Sequence, residues 1–130
     1  MSRLLVVLPL LLTAACAMTT GSVPASDRNL YRGISSENDW RLVISRWRIV
    51  MNYGVHNDLT WISPRRRSEG DVRVWEAGGG HVDRVRIEAR ADPCEGPDGN
   101  LYADRIRIVR TIDGEPFVAT GCGGHLIRSG

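Results

Sequence analysis

The sequence predicts an all-β protein, a small antiparallel β-barrel of about seven or eight strands with one disulfide. Beyond residue 29, apolar side chains recur at every second position, which is the spacing of a strand with one buried face and one solvated face. Turn-forming residues interrupt this pattern at short intervals, and no stretch has the spacing of a long helix. We favour a barrel over a two-sheet sandwich because closure removes exposed strand edges.

The first fifteen residues are expected to be a signal peptide. Arg3 precedes an apolar run too short to span a bilayer, and small residues follow it. Cys16 comes directly after this segment and resembles the lipobox cysteine, which receives a diacylglycerol and becomes the first residue of the mature chain. The alternative is ordinary cleavage after Ala17, at an A-x-A site. The sequence therefore predicts export, with Cys16 as the lipid anchor.

Residues 16–29 are rich in Ser, Thr, Ala, Gly and Pro, a composition that predicts a flexible tether. Ala17 is not the Asp that commonly retains lipoproteins in the inner membrane. By resemblance to that sorting pattern, we expect an outer-membrane lipoprotein facing the periplasm, or a soluble periplasmic protein if Cys16 carries no lipid. Residues 30–130 are long enough for a single domain.

The charge balance excludes some classes of function. The chain has 17 basic and 15 acidic residues and a formal net charge of +2. Such a balance gives no electrostatic support for binding nucleic acid. All of the basic residues are arginine, which excludes chemistry that needs a lysine amine.

Alternating apolar residues place the strands of the predicted domain. Asp113-Gly114 lies between two of them and predicts a two-residue hairpin turn, since Asp tolerates and Gly prefers a positive φ. The strands on either side should therefore pair antiparallel. The apolar positions of the whole pattern are Leu42, Ile44, Trp47, Ile49, Met51, Leu59, Trp61, Val72, Val74, Val82, Val85, Ile87, Ile106, Ile108, Phe117 and Ala119.

The other two cysteines, Cys94 and Cys122, are predicted to form a disulfide in an oxidising compartment. A bridge of this span contributes roughly 3.5 kcal/mol by the chain-entropy estimate. It should hold the long loop from Asp92 to Leu101 against the last strand. A metal site or a catalytic thiol is the alternative, but the sequence lacks a CxxC motif.

Several polar and charged clusters have both a chemical and a structural interpretation. His56-Asn57-Asp58 suggests an acid/base pair or half a metal site, but a polar turn is the simpler interpretation. His81 and His125 lack zinc-ligand spacing. The triplet at 65–67 is a positive patch that could pair with lipid head groups or an acidic partner, and its default interpretation is a solvated loop. Gly78-Gly79-Gly80 is interpreted as a hairpin connection rather than a phosphate loop.

Acidic and amide side chains between residues 92 and 104 could together hold calcium, but their spacing is not that of an EF-hand loop. Turns also need the same residue types. The tryptophans could line a ligand pocket, although most are expected to fill the core. We predict no metal site, no cofactor and no catalytic residue. The residues concerned are Asp92, Glu95, Asp98, Asn100 and Asp104 for calcium, and Trp40, Trp47, Trp61 and Trp75 for the pocket.

Two segments carry a family resemblance that spans most of residues 31–124. The segment 31–40 (YRGISSENDW) resembles a Y-R-A-x-G-T-E-P-F-W opening, and Pro93-Cys94 with a terminal G-C-G resembles the second part of the same pattern. These motifs occur in uncharacterised bacterial envelope proteins that are similar to the META/HslJ group of small antiparallel β domains. The resemblance implies the fold, the compartment and the cysteine pair, but no activity. The motif positions are Tyr31, Glu37, Trp40, Tyr102, Gly121 and Gly123.

The sequence thus favours a non-enzymatic envelope lipoprotein that binds a partner or contributes to envelope integrity. Its expected partners are a membrane, reached through the lipid, and possibly another protein. One alternative is a lysozyme inhibitor, since such inhibitors also include small disulfide-bonded lipoproteins. The other is a carrier of a small apolar ligand that uses the tryptophans.

Overall fold

The computed structural model describes residues 30–54, 57–79 and 83–130. Every regular element in these ranges is a β-strand, which confirms the all-β prediction. The strands are β1 (Tyr31–Ser35), β2 (Arg41–Ile44), β3 (Arg48–Asn52), β4 (Asp58–Ile62), β5 (Arg65–Glu69), β6 (Val72–Ala77), β7 (Arg84–Glu95), β8 (Leu101–Ile112) and β9 (Glu115–Arg128).

The strands form one antiparallel sheet in the order β4-β3-β2-β1-β9-β8-β7-β6-β5. The prediction of a closed barrel is wrong. In the described residues β4 and β5 share no backbone pairing, so they remain the two edges of an open sheet. The strand count also exceeds the prediction. The Ser63-Pro64 connection separates β4 from β5, and Pro64 has no N–H to donate to a ladder.

The sheet nevertheless curls over itself, so that strands far apart in the order face each other. The rings of Tyr31 on β1 and Trp75 on β6 have centroids 4.7 Å apart. On another part of the sheet, the Arg110 guanidinium of β8 lies 5.7 Å from the Trp61 ring centroid of β4. The concave face of this curled sheet, here called the inner face, holds the main core.

Alternation along the strands creates this core. Successive side chains point to opposite faces, so the register that pairs Ile87 with Ile108 puts both on the inner face. The centre is tightly filled, because both side chains and Ile49 are at most 1 % exposed. The buried cluster comprises Tyr31, Trp40, Leu42, Ile44, Ile49, Met51, Trp61, Trp75, Ala77, Val85, Ile87, Ala89, Ile106 and Ile108.

The hairpin prediction is confirmed. Ile112 pairs with Glu115 across the turn, and Asp113 and Gly114 have φ values of 52° and 81°. Two positive φ values match the right-handed twist of the flanking strands, so this turn fixes the longest pairing of the sheet.

Three expectations about individual segments are wrong. The triplet 65–67 begins β5 instead of forming a loop, because an edge strand with every residue exposed shows no apolar alternation. The loop expected from Asp92 is shorter, since β7 continues to Glu95 past a register shift between Ala91 and Cys94. Trp47 lies in the turn between β2 and β3, where it is 70 % exposed, instead of in the core.

Some predictions concern residues outside the described ranges. They include the signal peptide, the tether with Cys16, and the residues His56, Gly80 and His81. Among the described residues, no helix has the length and apolar character needed to cross a membrane.

Candidate functional site

The motif glycines lie where β9 approaches β1 most closely. Gly33 pairs with Gly123, and Ser35 pairs with Gly121. A Cβ atom on Gly123 would lie 2.7 Å from the Tyr31 hydroxyl, and one on Gly121 would collide with the main-chain oxygen of Ile34. Both positions require glycine for close packing, so Gly121 and Gly123 have a structural role.

Tyr31 forms the centre of a buried polar contact on the inner face. Its hydroxyl donates a 2.8 Å hydrogen bond to Oδ2 of Asp104, which also accepts from the Arg73 guanidinium. The Asp104 side chain is only 4 % exposed, whereas Arg73 is 37 % exposed. Burial, together with the bond to Asp104, raises the pKa of Tyr31 far above its ordinary value. Tyr31 is therefore a neutral hydrogen-bond donor and cannot serve as a base at physiological pH.

The disulfide is present as predicted, between Cys94 and Cys122 with Cα atoms 5.4 Å apart. It lies on the opposite, outer face of the sheet, where it packs against Ile34 and the partly buried Tyr102. Tyr102 donates a hydrogen bond to Asp98, and that bond lowers the pKa of the Asp98 carboxyl. The bridge thus fastens the 96–100 loop to β9 through a second, small apolar cluster.

The first half of the motif also serves local structure. Trp40 is 4 % exposed and belongs to the main core. Glu37 is exposed, and its main-chain N–H donates to Oγ of Ser35 in the turn after β1. That Ser35 hydroxyl in turn donates to Asp39. The motif residues therefore shape the turn and the β1–β9 contact.

A pocket of about 570 Å³ opens beside Tyr31 and is here called the arginine–aromatic pocket. The guanidinium of Arg66 lies 5.9 Å from the Trp75 ring centroid, and that of Arg73 lies 5.3 Å from the Tyr31 centroid. These distances are in the range of cation–π contacts. The pocket is lined by Leu30, Tyr31, Ile44, Ser45, Arg46, Pro64, Arg66, Arg73 and Trp75.

This pocket has the chemistry of an anion-binding surface. Arg46, Arg66 and Arg73 are permanently charged donors, and no Asp or Glu side chain lines the pocket. The nearest carboxylate, Asp104, already accepts from Arg73 and Tyr31. The arrangement can bind an anion or a planar group, but it offers no group that exchanges a proton near neutral pH.

A second cleft of about 610 Å³ lies at the far end of β3 and is mostly apolar. Leu59, Ile108 and Phe117 contribute side chains to it. At its rim Arg110 forms a bidentate ion pair with Asp83, with Nη2 and Oδ2 2.6 Å apart. The filled centre of the core separates this cleft from the arginine–aromatic pocket.

Ion pairs cover part of the outer face instead of forming a site. Arg67 contacts Glu69 and Glu76, and Arg86 contacts the same two carboxylates. Hydrogen bonds from the two guanidiniums lower the pKa of both glutamates. Val74 lies in the pairing register between Arg67 and Glu88 and is fully buried, so this network shields an apolar side chain.

The structure does not bring the candidate calcium ligands together. Asp92 pairs with Arg105, while Asp98 bonds Tyr102 and Asn100. Asp104 lies on the inner face. Within residues 30–54, 57–79 and 83–130, no group of three His, Cys, Asp or Glu side chains is placed to hold a metal. His125 is exposed on β9.

Sequence reasoning missed the arginine–aromatic pocket. Its residues come from the ends of strands that are distant in the chain, so no spacing could reveal them. The sequence did contain one indication of it. Asp104, Ile106 and Ile108 occupy every second position of a strand and so share a face, which puts a carboxylate on an apolar face. A charge at such a position requires a buried partner, which Tyr31 and Arg73 supply.

Comparisons of the chain with protein-family models, with curated proteins and with solved structures each found no match.

Proposed function

We propose that the protein is a non-enzymatic lipoprotein of the cell envelope, anchored through Cys16 in the outer membrane and facing the periplasm. In this proposal it acts as a binding or envelope-integrity module. The buried Cys94–Cys122 disulfide supports export, because such bridges persist in oxidising compartments. The same bridge leaves Cys16 as the cysteine available for a lipid.

The lipid anchor is tested by following the fate of Cys16. Globomycin should cause the unprocessed precursor to accumulate, and labelled palmitate should enter the wild-type chain but not Cys16→Ser. Membrane fractionation should place the wild-type protein with the outer membrane. Cys94→Ser in a Cys122→Ser background is the control for the other two thiols, with its label normalised to the amount of protein because loss of the bridge destabilises the fold. A soluble, unlabelled wild-type protein would refute the anchor.

The arginine–aromatic pocket is the observation that carries the binding role. It combines Arg46, Arg66 and Arg73 with two aromatic rings, and Tyr31 is held as a neutral donor. These groups favour recognition of a negatively charged partner over catalysis by proton transfer. Titration of the purified protein with anionic compounds should perturb its tryptophan fluorescence, and this change should be lost in Trp75→Phe. Matched neutral compounds should not perturb the fluorescence of either protein.

A carrier of a small apolar ligand is the second candidate, favoured by the cleft around Leu59 and Phe117. The tightly filled centre confines any such ligand to this cleft, away from the interior. A fluorescent fatty acid should bind the wild-type protein and bind Phe117→Arg at least tenfold more weakly, with Ile127→Arg as the exposed control. Equal binding by all three would exclude the cleft.

Inhibition of lysozyme stays a prediction from the sequence. An assay of cell-wall lysis with the purified protein decides it directly, because an inhibitor of this class should act at stoichiometric concentration.

A further inference from the structure

Two large apolar side chains are exposed at the same end of the β3–β4 pair. Trp47 is 70 % exposed and Ile62 is 74 % exposed. Their main chains are adjacent, since the Ser63 N–H donates to the main-chain oxygen of Trp47 at 2.8 Å, and Arg48 pairs with Ile62 in the β3–β4 register. Adjacent apolar side chains of this size commonly mark an interaction surface.

Three arginines surround this apolar pair. The Arg46 guanidinium lies 5.0 Å from the Trp47 ring centroid, Arg48 is the strand partner of Ile62, and Arg66 shares a pocket with Arg46. Across the described parts of the chain, none of the three has a carboxylate within 4.0 Å. Arg67, one residue further along, has two such partners. The positive charge here is therefore not neutralised within the folded domain.

The chain enters the domain at this same surface. Leu30, the first described residue, lines the pocket that Arg46 and Arg66 also line. In the sequence, only residues 16–29 connect Cys16, the proposed lipid site, to this point of the domain. A lipid on Cys16 would thus keep a membrane within easy reach of this surface and raise its effective concentration there.

We infer that this surface, the docking patch of Arg46, Trp47, Arg48, Ile62 and Arg66, binds directly to a membrane containing anionic phospholipid. The arginines pair with headgroup phosphates, for which the guanidinium fork is well suited. Trp47 and Ile62 enter the interfacial region, where tryptophan is favoured. The inference rests on the proposed function in one respect, because the tether supplies the membrane.

A second copy of the chain fits this surface less well. A two-fold interface would bring the docking patches of both copies together, and each patch carries three arginines. Like charges facing each other are destabilising, and the patch contains no acidic residue to offset them. An anionic surface instead complements the charge and accepts the apolar side chains.

The test uses the chain without the predicted signal peptide, residues 1–15, and with Cys16→Ser. Because the apolar signal segment and the lipid-bearing thiol are both removed, any membrane binding comes from the rest of the protein. Vesicles of phosphatidylethanolamine with phosphatidylglycerol at about one part in three should bind it, and phosphatidylcholine vesicles should not. At about fivefold per arginine, the pair Arg46→Gln and Arg66→Gln should weaken binding on the order of 25-fold. Raising the salt from about 0.05 M to about 0.5 M should weaken it as well.

Matched variants separate the docking patch from general positive charge. Arg84→Gln with Arg128→Gln removes the same charge from two exposed arginines outside the patch and should bind like the parent. Trp47→Ser should weaken binding about tenfold, while Phe117→Ser should not. Brominated phosphatidylglycerol should quench Trp47 selectively, because the other three tryptophans are at most 6 % exposed.

Several results would overturn the inference. They are equal binding to both kinds of vesicle, no binding to either, or equal losses in the patch and control variants. Concentration-dependent dimerisation that Trp47→Ser abolishes, without vesicle binding, would assign the patch to self-association. Failure of Cys16 lipidation would leave these measurements unaffected, so the anchor and the docking patch can fail separately.

Discussion

Removing the carboxylate of Asp104 should destabilise the domain by about 3 kcal/mol, because one buried and one partly buried polar contact depend on that group. In Asp104→Ala the Tyr31 hydroxyl loses its 2.8 Å acceptor while Tyr31 remains 9 % exposed. A buried donor left without a partner costs about 1–3 kcal/mol. Arg73 also loses its counterion, but at 37 % exposure it is partly solvated, so we assign this loss only about 1 kcal/mol.

Urea unfolding at neutral pH, with the disulfide intact, measures this change through the midpoint and the slope. A loss of about 3 kcal/mol is a large share of the 5–15 kcal/mol typical of a domain. Asp104→Asn retains an acceptor for Tyr31 and removes only the charge, so it should cost less than Asp104→Ala. Trp75, whose ring lies 4.7 Å from that of Tyr31, provides a local fluorescence signal.

A double-mutant cycle tests the reasoning itself. Tyr31→Phe removes the hydroxyl, so in the Asp104→Ala background it should cost little or restore stability. We expect a coupling of about 1–2 kcal/mol between the two positions. Costs that add to within about 0.5 kcal/mol would show that the hydroxyl and the carboxylate do not depend on each other, and the account would be wrong.

Three further predictions concern the disulfide, the β1–β9 contact and the outer-face ion pairs. The double variant Cys94→Ala/Cys122→Ala should lose about 3.5 kcal/mol in urea unfolding, and an unchanged midpoint would refute a stabilising bridge. Gly121→Ala should lose at least 3 kcal/mol or fail to fold, because its Cβ meets main-chain atoms. Gly79→Ala, whose Cβ meets no atom of the described residues within 4 Å, should melt within about 2 °C of the parent. The pKa of Glu76 is lower in the folded protein than its ordinary value of 4.5, so its ion pairs stabilise the fold above pH 4.5 and are lost as the pH falls through the folded-state pKa. Glu76→Gln should therefore flatten the acid side of a plot of the unfolding midpoint against pH. An unaltered plot would count against the network.

The sequence predicted elements best where the local signal and the final environment agree. Asp113-Gly114 specifies its turn through φ alone, and Ile106 and Ile108 alternate with charged residues on a half-buried strand. Cys94 and Cys122 could be paired by counting thiols. In each case neighbouring residues in the chain carry the information.

The sequence failed where distant contacts decide the structure. Trp47, Ile49 and Met51 occupy every second position, which predicts that all three are buried on one face. Trp47 lies in the turn before β3, where strand alternation no longer applies, and its ring is exposed. Closure of the sheet depends on whether the two edge strands meet, and no pattern within either strand encodes that. The arginine–aromatic pocket was missed for the same reason, since Arg46, Arg66 and Arg73 converge only after the sheet curls.

The distribution of arginine partners links the fold to the proposed docking patch. On β5 and β7, Arg67 and Arg86 each contact two or more carboxylates, so their positive charge is compensated within the domain. Arg46 and Arg66 have no such partner among the described residues and lie beside the point where the chain enters. Arg84 and Arg128, which lie outside the patch, have no carboxylate within 4.0 Å among the described residues either, so a missing partner does not by itself mark the docking patch. The patch differs because its unpaired arginines accompany Trp47, an exposed ring that costs solubility, and this combination favours an anionic, partly apolar target.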